Sequence, residues 1–106
     1  METNRQRIVC IRSYYPPGNQ DGKRYAVFET PGFQNLEDDL DRLDAFRTAR
    51  KWFDEDESLC VIDHTPDRLV GVATREPGRM EELRLHLAKL DLRVEPLEWP
   101  DFGINN

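Results

Sequence analysis

Cysteine, histidine and long apolar runs are all scarce in this 106-residue sequence. The two cysteines, Cys10 and Cys60, lie within apolar strand-like runs, which excludes a disulfide framework and predicts two small buried side chains. No apolar stretch approaches the roughly 18 residues that a membrane-spanning helix requires. The charged N-terminal residues are not followed by an apolar segment, so we expect no secretory signal. These absences predict a cytoplasmic protein that does not enter a membrane.

Motifs for metals, cofactors and catalysis are equally scarce. Only His64 and His86 could join the cysteines as soft ligands, which is too few for a typical zinc site. The carboxylates lack the spacing and central glycine of a calcium loop. Cys60 and His64 share one face of a strand, but their Cα atoms would be about 13 Å apart, too far for a nucleophile and base. We therefore predict no cofactor, no metal and no catalytic residue.

The charge is negative and unevenly distributed. The net charge is −6, and residues 36–57, with nine acidic and four basic side chains, contribute −5 of it. A negative domain is repelled by phosphate backbones, which argues against nucleic acid as a partner. Apolar side chains make up 38% of the sequence and occur in periodic clusters, so we expect one packed domain over residues 1–106, with frayed ends at 1–6 and 103–106.

Two segments have the apolar spacing of amphipathic helices. In the first, apolar side chains recur every three or four residues from Leu36 to Phe53, and Asn35 is a suitable N-cap. In the second, Pro77 can occupy the first helical position and a buried stripe runs from Met80 to Leu90. Strand-like runs fill much of the remaining sequence, at Ile8–Tyr14, Tyr25–Phe28, Leu59–Asp63, Leu69–Thr74 and Leu92–Glu95.

The order of these elements from Tyr25 to Leu97 is strand, helix, strand, turn, strand, helix, strand. This order resembles the split β-α-β arrangement (βαββαβ) of ferredoxin-like folds. The resemblance implies an α+β domain with a mainly antiparallel sheet and two helices on one face. Ile8–Tyr14 would be an additional N-terminal strand.

Several predicted strands are apolar on both faces. Phe28 and Ile62, for example, point away from Val27 and Val61, because side chains alternate along a strand. Something should therefore cover the second face of the sheet, unless its apolar side chains are simply scattered over an exposed surface. The cover could be the chain's own loop 15–23 and its Trp99–Phe102 tail, or a second copy, or a partner protein.

The function we expect is a small, acidic, non-enzymatic module that binds protein, either a second copy of itself or a partner. Exposed tyrosines beside a stiff proline pair, Tyr14 and Tyr15, are typical of protein interfaces. The alternative is a small-ligand or catalytic site between sheet and loops or at a dimer interface. The residues we expect at the binding surface are Tyr14, Tyr15, Phe28, Ile62 and His64.

Overall fold

The computed structural model describes residues 7–18, 22–30 and 34–102. The ends predicted to be frayed, 1–6 and 103–106, lie outside these residues. Within them the chain forms six strands, which make up a single mixed sheet, and two helices. The elements are β1 (Ile8–Tyr14), β2 (Arg24–Thr30), β3 (Gln34–Leu40), α1 (Arg42–Glu55), β4 (Cys60–Asp63), β5 (Leu69–Ala73), α2 (Arg79–Ala88) and β6 (Arg93–Pro96).

The strands follow the order β3-β2-β1-β4-β5-β6 across the sheet. β1 pairs with β4 and β5 with β6 in parallel, whereas the other neighbours are antiparallel. The α+β class is therefore confirmed, but the ferredoxin-like split order and the mainly antiparallel sheet are not. The difference arises because β4 lies directly beside β1 and β6 directly beside β5, so the two crossovers are not interleaved.

The two helices lie on opposite faces of the sheet, so the prediction that they share one face is wrong. Phe46 of α1 packs with Val27 and Val61 on what we call face 1. Leu83 of α2 packs against the core that contains Ile62, on face 2. Parallel strands are connected by right-handed crossovers, and the antiparallel β4–β5 turn reverses the chain between the two crossovers. The second crossover therefore places its helix on the other face.

The first helix begins later than its apolar spacing predicts. Residues 34–40 form the edge strand β3, and Asp41 is the N-cap of α1, where its side chain accepts a hydrogen bond from the Asp44 amide at 2.9 Å. Asp39 has a φ of 59°, a left-handed conformation that a continuous helix cannot contain. Leu40 instead pairs with Tyr25 and packs on the face 1 core. The helix also continues beyond Phe53, to Glu55.

The C-terminal segment 97–102 crosses face 1 beside α1. The Leu97 amide donates a hydrogen bond to the Val72 carbonyl at 2.9 Å, and Leu97 is part of the face 1 core. Gly71 permits this close approach, because a Cβ atom there would lie 3.3 Å from the Leu97 Cα atom. Trp99 then packs edge-on against Phe46, with ring centroids 6.4 Å apart. The tail thus covers part of the sheet, on the face that α1 also covers.

Candidate binding surface on face 2

α2 leaves part of face 2 uncovered by the residues that the structure describes. The helix lies closest to β6, at one side of the sheet. Over β1 and β2 there is instead a hollow of about 470 Å³, which we call the β1–β2 hollow. Its lining residues are Cys10, Arg12, Ser13, Phe28, Thr30 and His64.

The register of three neighbouring strands brings the main lining residues together. Cys10 of β1 lies opposite Phe28 of β2, and paired residues of adjacent strands point to the same face. On its other side Cys10 pairs with Ile62 of β4. His64 follows Ile62 by two residues, and its amide donates a hydrogen bond to the Ile11 carbonyl at 2.9 Å. Aromatic, thiol and imidazole side chains therefore meet over the hydrogen-bonded centre of the sheet.

Arg12 supplies the positive charge at the rim of the hollow. It is exposed, and its guanidinium carbon lies 6.0 Å from the centroid of the half-buried Phe28 ring. None of the described residues that line the hollow carries a carboxylate. Among the described residues, none lies within ion-pair distance of Arg12. Arg12 is therefore the permanently charged residue among the described residues that line the hollow, on a chain of net charge −6.

His64 titrates below its ordinary range in this setting. Loss of water around the imidazole is the main cause of its lowered pKa, and the positive charge of Arg12 lowers the pKa further. The carboxylate of Asp63 acts in the opposite direction. At neutral pH the imidazole is therefore mainly neutral, and it can both donate and accept a hydrogen bond.

The thiol of Cys10 is poorly suited to nucleophilic chemistry. Burial, together with the nearby Cys60, raises the pKa of Cys10 to about 11. Only about one thiol in 10⁴ is then ionised at pH 7. In the described part of the chain, no hydrogen bond joins Cys10 to His64. These two side chains share a hollow without forming a nucleophile–base pair.

The two cysteines are neighbours on face 2 but are both free. Ile8 of β1 pairs with Cys60 of β4, so Cys10 is displaced from Cys60 by two residues along the adjacent strand. This places their Cα atoms about 8 Å apart, which is beyond the reach of a disulfide. Among the described residues, no three side chains of the metal-binding types form a group, and neither helix has the length and apolar character to cross a membrane.

The structure brings some of the predicted binding residues together and separates others. Phe28 and His64 both line the β1–β2 hollow, whereas Ile62 is buried in the core beneath α2. Tyr14 shares the face of Cys10 and Arg12, because it follows them by even steps along β1. Tyr15 lies in the following loop, exposed, with the Lys23 ammonium 5.9 Å from its ring centroid.

Tyr14 is held in place by a cross-strand hydrogen bond. Its hydroxyl donates to an Asp38 carboxylate oxygen at 2.6 Å, and this bond is the main reason that the pKa of Tyr14 is raised. Arg24 similarly donates to Asp39 at 2.8 Å. These contacts between β1, β2 and β3 order the sheet edge next to the hollow.

Sequence reasoning missed four residues of the hollow, Cys10, Arg12, Ser13 and Thr30. Alternation places Cys10 and Arg12 on one strand face, but only the β1–β2 register brings Thr30 and Phe28 beside them. The loop between these strands contains two prolines and several turn residues, so its length does not define a standard hairpin register.

A second hollow of about 400 Å³ lies on face 1, where Arg42, Asp63 and Glu95 contribute to its lining. Asp63 is buried, and one of its carboxylate oxygens accepts hydrogen bonds from the Thr65 amide at 2.9 Å and the Thr65 hydroxyl at 2.6 Å. This carboxylate stabilises the turn that connects β4 to β5, which is a structural role.

No protein-family model, curated protein or solved structure matches this chain. Function must therefore be inferred from the shape and chemistry of the β1–β2 hollow itself.

Proposed function

We propose that this protein is a non-enzymatic module that binds another protein through the β1–β2 hollow. The observation that carries the proposal is the part of face 2 that the described residues leave uncovered, where half-buried Phe28 and the exposed side chains of Arg12 and His64 line one hollow. A hollow with an apolar floor and a polar rim suits an anchoring side chain, which loses its contact with water when it binds. Two buried cysteines that cannot bridge support a reducing, cytoplasmic setting for this interaction.

A different protein fits this surface better than a second copy of the chain. In a two-fold symmetric dimer the same patch would face itself, which would bring Arg12 and His64 close to their own copies. The net charge of −6 on each chain would add further repulsion. A partner with its own charge pattern avoids both costs.

The small-ligand alternative is favoured by one observation, the volume of the hollow. About 470 Å³ lies within the range of roughly 300–1,000 Å³ that small-molecule sites occupy. The hollow is formed by a sheet face with one flanking helix, however, and the protonated Cys10 offers no nucleophile. An extended surface of this kind suits a peptide segment more than an enclosed ligand.

Selection from a random 12-residue phage-displayed peptide library on the immobilised full chain would test the proposal. We expect enriched peptides. When such a peptide is added, the amide chemical shifts of the protein should change at Arg12, Phe28 and His64. Phe28→Ala should weaken the binding of a selected peptide by about tenfold or more, since the ring forms the floor of the hollow. Leu85→Ala is the matched control, because Leu85 is 68% exposed on α2 and lies outside the hollow.

Peptides that map elsewhere would contradict the proposal, as would equal binding by Phe28→Ala and the native chain. Circular dichroism of each variant verifies that a loss of binding is not a loss of folding. Binding of a free small molecule in the hollow, with no peptide selected, would favour the ligand alternative and overturn the protein-binding proposal.

A further inference from the structure

We infer that the partner of the β1–β2 hollow presents a carboxylate to Arg12, next to the apolar side chain that occupies the hollow. This inference rests on the proposed function and specifies the chemistry of the partner. It depends on the absence of a carboxylate partner for Arg12 among the described residues, rather than on the shape of the hollow.

Arg12 differs from most described arginines in its surroundings. Arg7, Arg24 and Arg50, for example, lie within 3.1 Å of a carboxylate oxygen. Arg12 has no such partner among the described residues, although acidic side chains are abundant in the chain. Its guanidinium carbon lies 6.0 Å from the centroid of the Phe28 ring, at the outer limit of a cation–π contact.

The guanidinium geometry favours a carboxylate over other acceptors. An arginine presents parallel N–H groups that match the two oxygens of a carboxylate, and such charge-assisted pairs are stronger than neutral hydrogen bonds. The Phe28 ring, 6.0 Å from the guanidinium carbon, offers an apolar contact beside such a pair. An acidic partner residue would thus give Arg12 the carboxylate that it lacks among the described residues.

A second positive charge near face 2, that of Arg79 on α2, has a smaller effect on a ligand in the hollow than Arg12 has. Arg79 is close enough to lower the pKa of Cys60, so its positive charge reaches face 2. It is paired with Glu82, however, at 3.3 Å, and Glu76 raises the pKa of the same cysteine. Of the described residues that line the hollow, Arg12 is therefore the one that offers a positive charge to a ligand.

The same peptide library separates this inference from the proposed function. Peptides selected on the native chain should be enriched in Asp and Glu beside an apolar residue. For one such peptide, replacing its acidic residue by the corresponding amide should weaken binding about two- to fivefold, since Arg12 is exposed at the rim. With Arg12→Gln the acidic and amide peptides should bind equally. Arg93→Gln is the control, because Arg93 belongs to β6 on the other face and is 74% exposed.

Each outcome has a distinct meaning. Peptides that occupy the hollow without acidic enrichment would overturn this inference and leave the proposed function intact. Acidic peptides that bind Arg12→Gln as strongly as the native chain would also overturn it. If no selected peptide occupies the hollow, the proposed function itself fails. Selection on Arg12→Glu offers a further check, since it should enrich Lys and Arg in place of acidic residues.

Discussion

His64 is the residue whose ionisation reports most directly on the hollow. Its pKa in the folded state is lowered from 6.5, first by the loss of water and then by Arg12. In the pH window between the folded pKa and 6.5, the unfolded chain therefore binds more protons than the folded chain. The contribution of His64 to the free energy of unfolding accordingly falls as the pH drops through this window, and it is unaffected above it.

We predict that Arg12→Gln raises the pKa of His64 towards 6.5, because removing a nearby positive charge makes protonation easier. A titration of the imidazole proton resonances by NMR measures this directly. Arg93→Gln, on the other face, should leave the His64 pKa unchanged. An unaltered pKa in Arg12→Gln would mean that the guanidinium does not face the imidazole in solution.

Asp41 decides where α1 begins. Its backbone is extended, and its side chain accepts the Asp44 amide hydrogen that would otherwise lack an intrahelical partner. The predicted cap, Asn35, lies in β3, six residues earlier. Both residue types are good caps, so composition could not discriminate between them.

Replacement of Asp41 by alanine should lower the free energy of unfolding by about 1 kcal/mol, the typical cost of losing an N-cap. Asp41→Asn should remain close to the native value, because an amide oxygen can accept the same hydrogen bond. Urea denaturation followed by circular dichroism measures both. Equal losses in the two variants would show that the charge of Asp41, rather than its capping bond, stabilises the helix.

The C-terminal segment is attached to α1 by aromatic and cationic contacts. The guanidinium carbon of Arg50 lies 5.2 Å from a ring centroid of Trp99, and that of Arg47 lies 5.6 Å from the Phe102 centroid. Phe53 adds a tilted ring contact with Trp99 at 5.8 Å. The helical spacing of these arginines is visible in the sequence. The same spacing is typical of a solvated polar helix face, so it does not predict the contacts with the C-terminal segment.

At the scale of the whole molecule, both edges of the sheet oppose pairing with another chain. The pairing of β3 with β2 has two register irregularities, and β3 carries the acidic residues Asp38 and Asp39. β6 is only four residues long and ends at Pro96, while the Arg84 guanidinium donates to the Val94 carbonyl at 3.4 Å. Short, charged or irregular edges are the usual protection against strand addition.

We therefore predict a monomer of 12.5 kDa in solution. Size-exclusion chromatography with light scattering, over a tenfold range of concentration, measures the molar mass. A mass of twice this value would contradict the proposal of a separate partner protein. If that mass returned to the monomer value in Phe28→Glu, the hollow would be identified as a self-association surface.

Much of the local structure was predictable from the sequence. The runs at Ile8–Tyr14 and Tyr25–Phe28 correspond to β1 and the centre of β2, and the apolar stripe around Leu83 corresponds to α2. The strand β3 was missed, because Leu36 and Leu40 also fit the spacing of the helix that follows. Local periodicity cannot separate two elements that share one pattern.

The sequence by itself determined the class of the domain, since alternating and helical periods are properties of neighbouring residues. The tertiary structure decided the order of the strands, the opposite placement of α1 and α2, and the meeting of Arg12, Phe28 and His64 over one hollow. These depend on pairings between residues far apart in the chain, such as Cys10 with Phe28 and with Ile62. A shift of one residue in such a pairing would move every side chain of a strand to the other face, so the site exists only once the register is set.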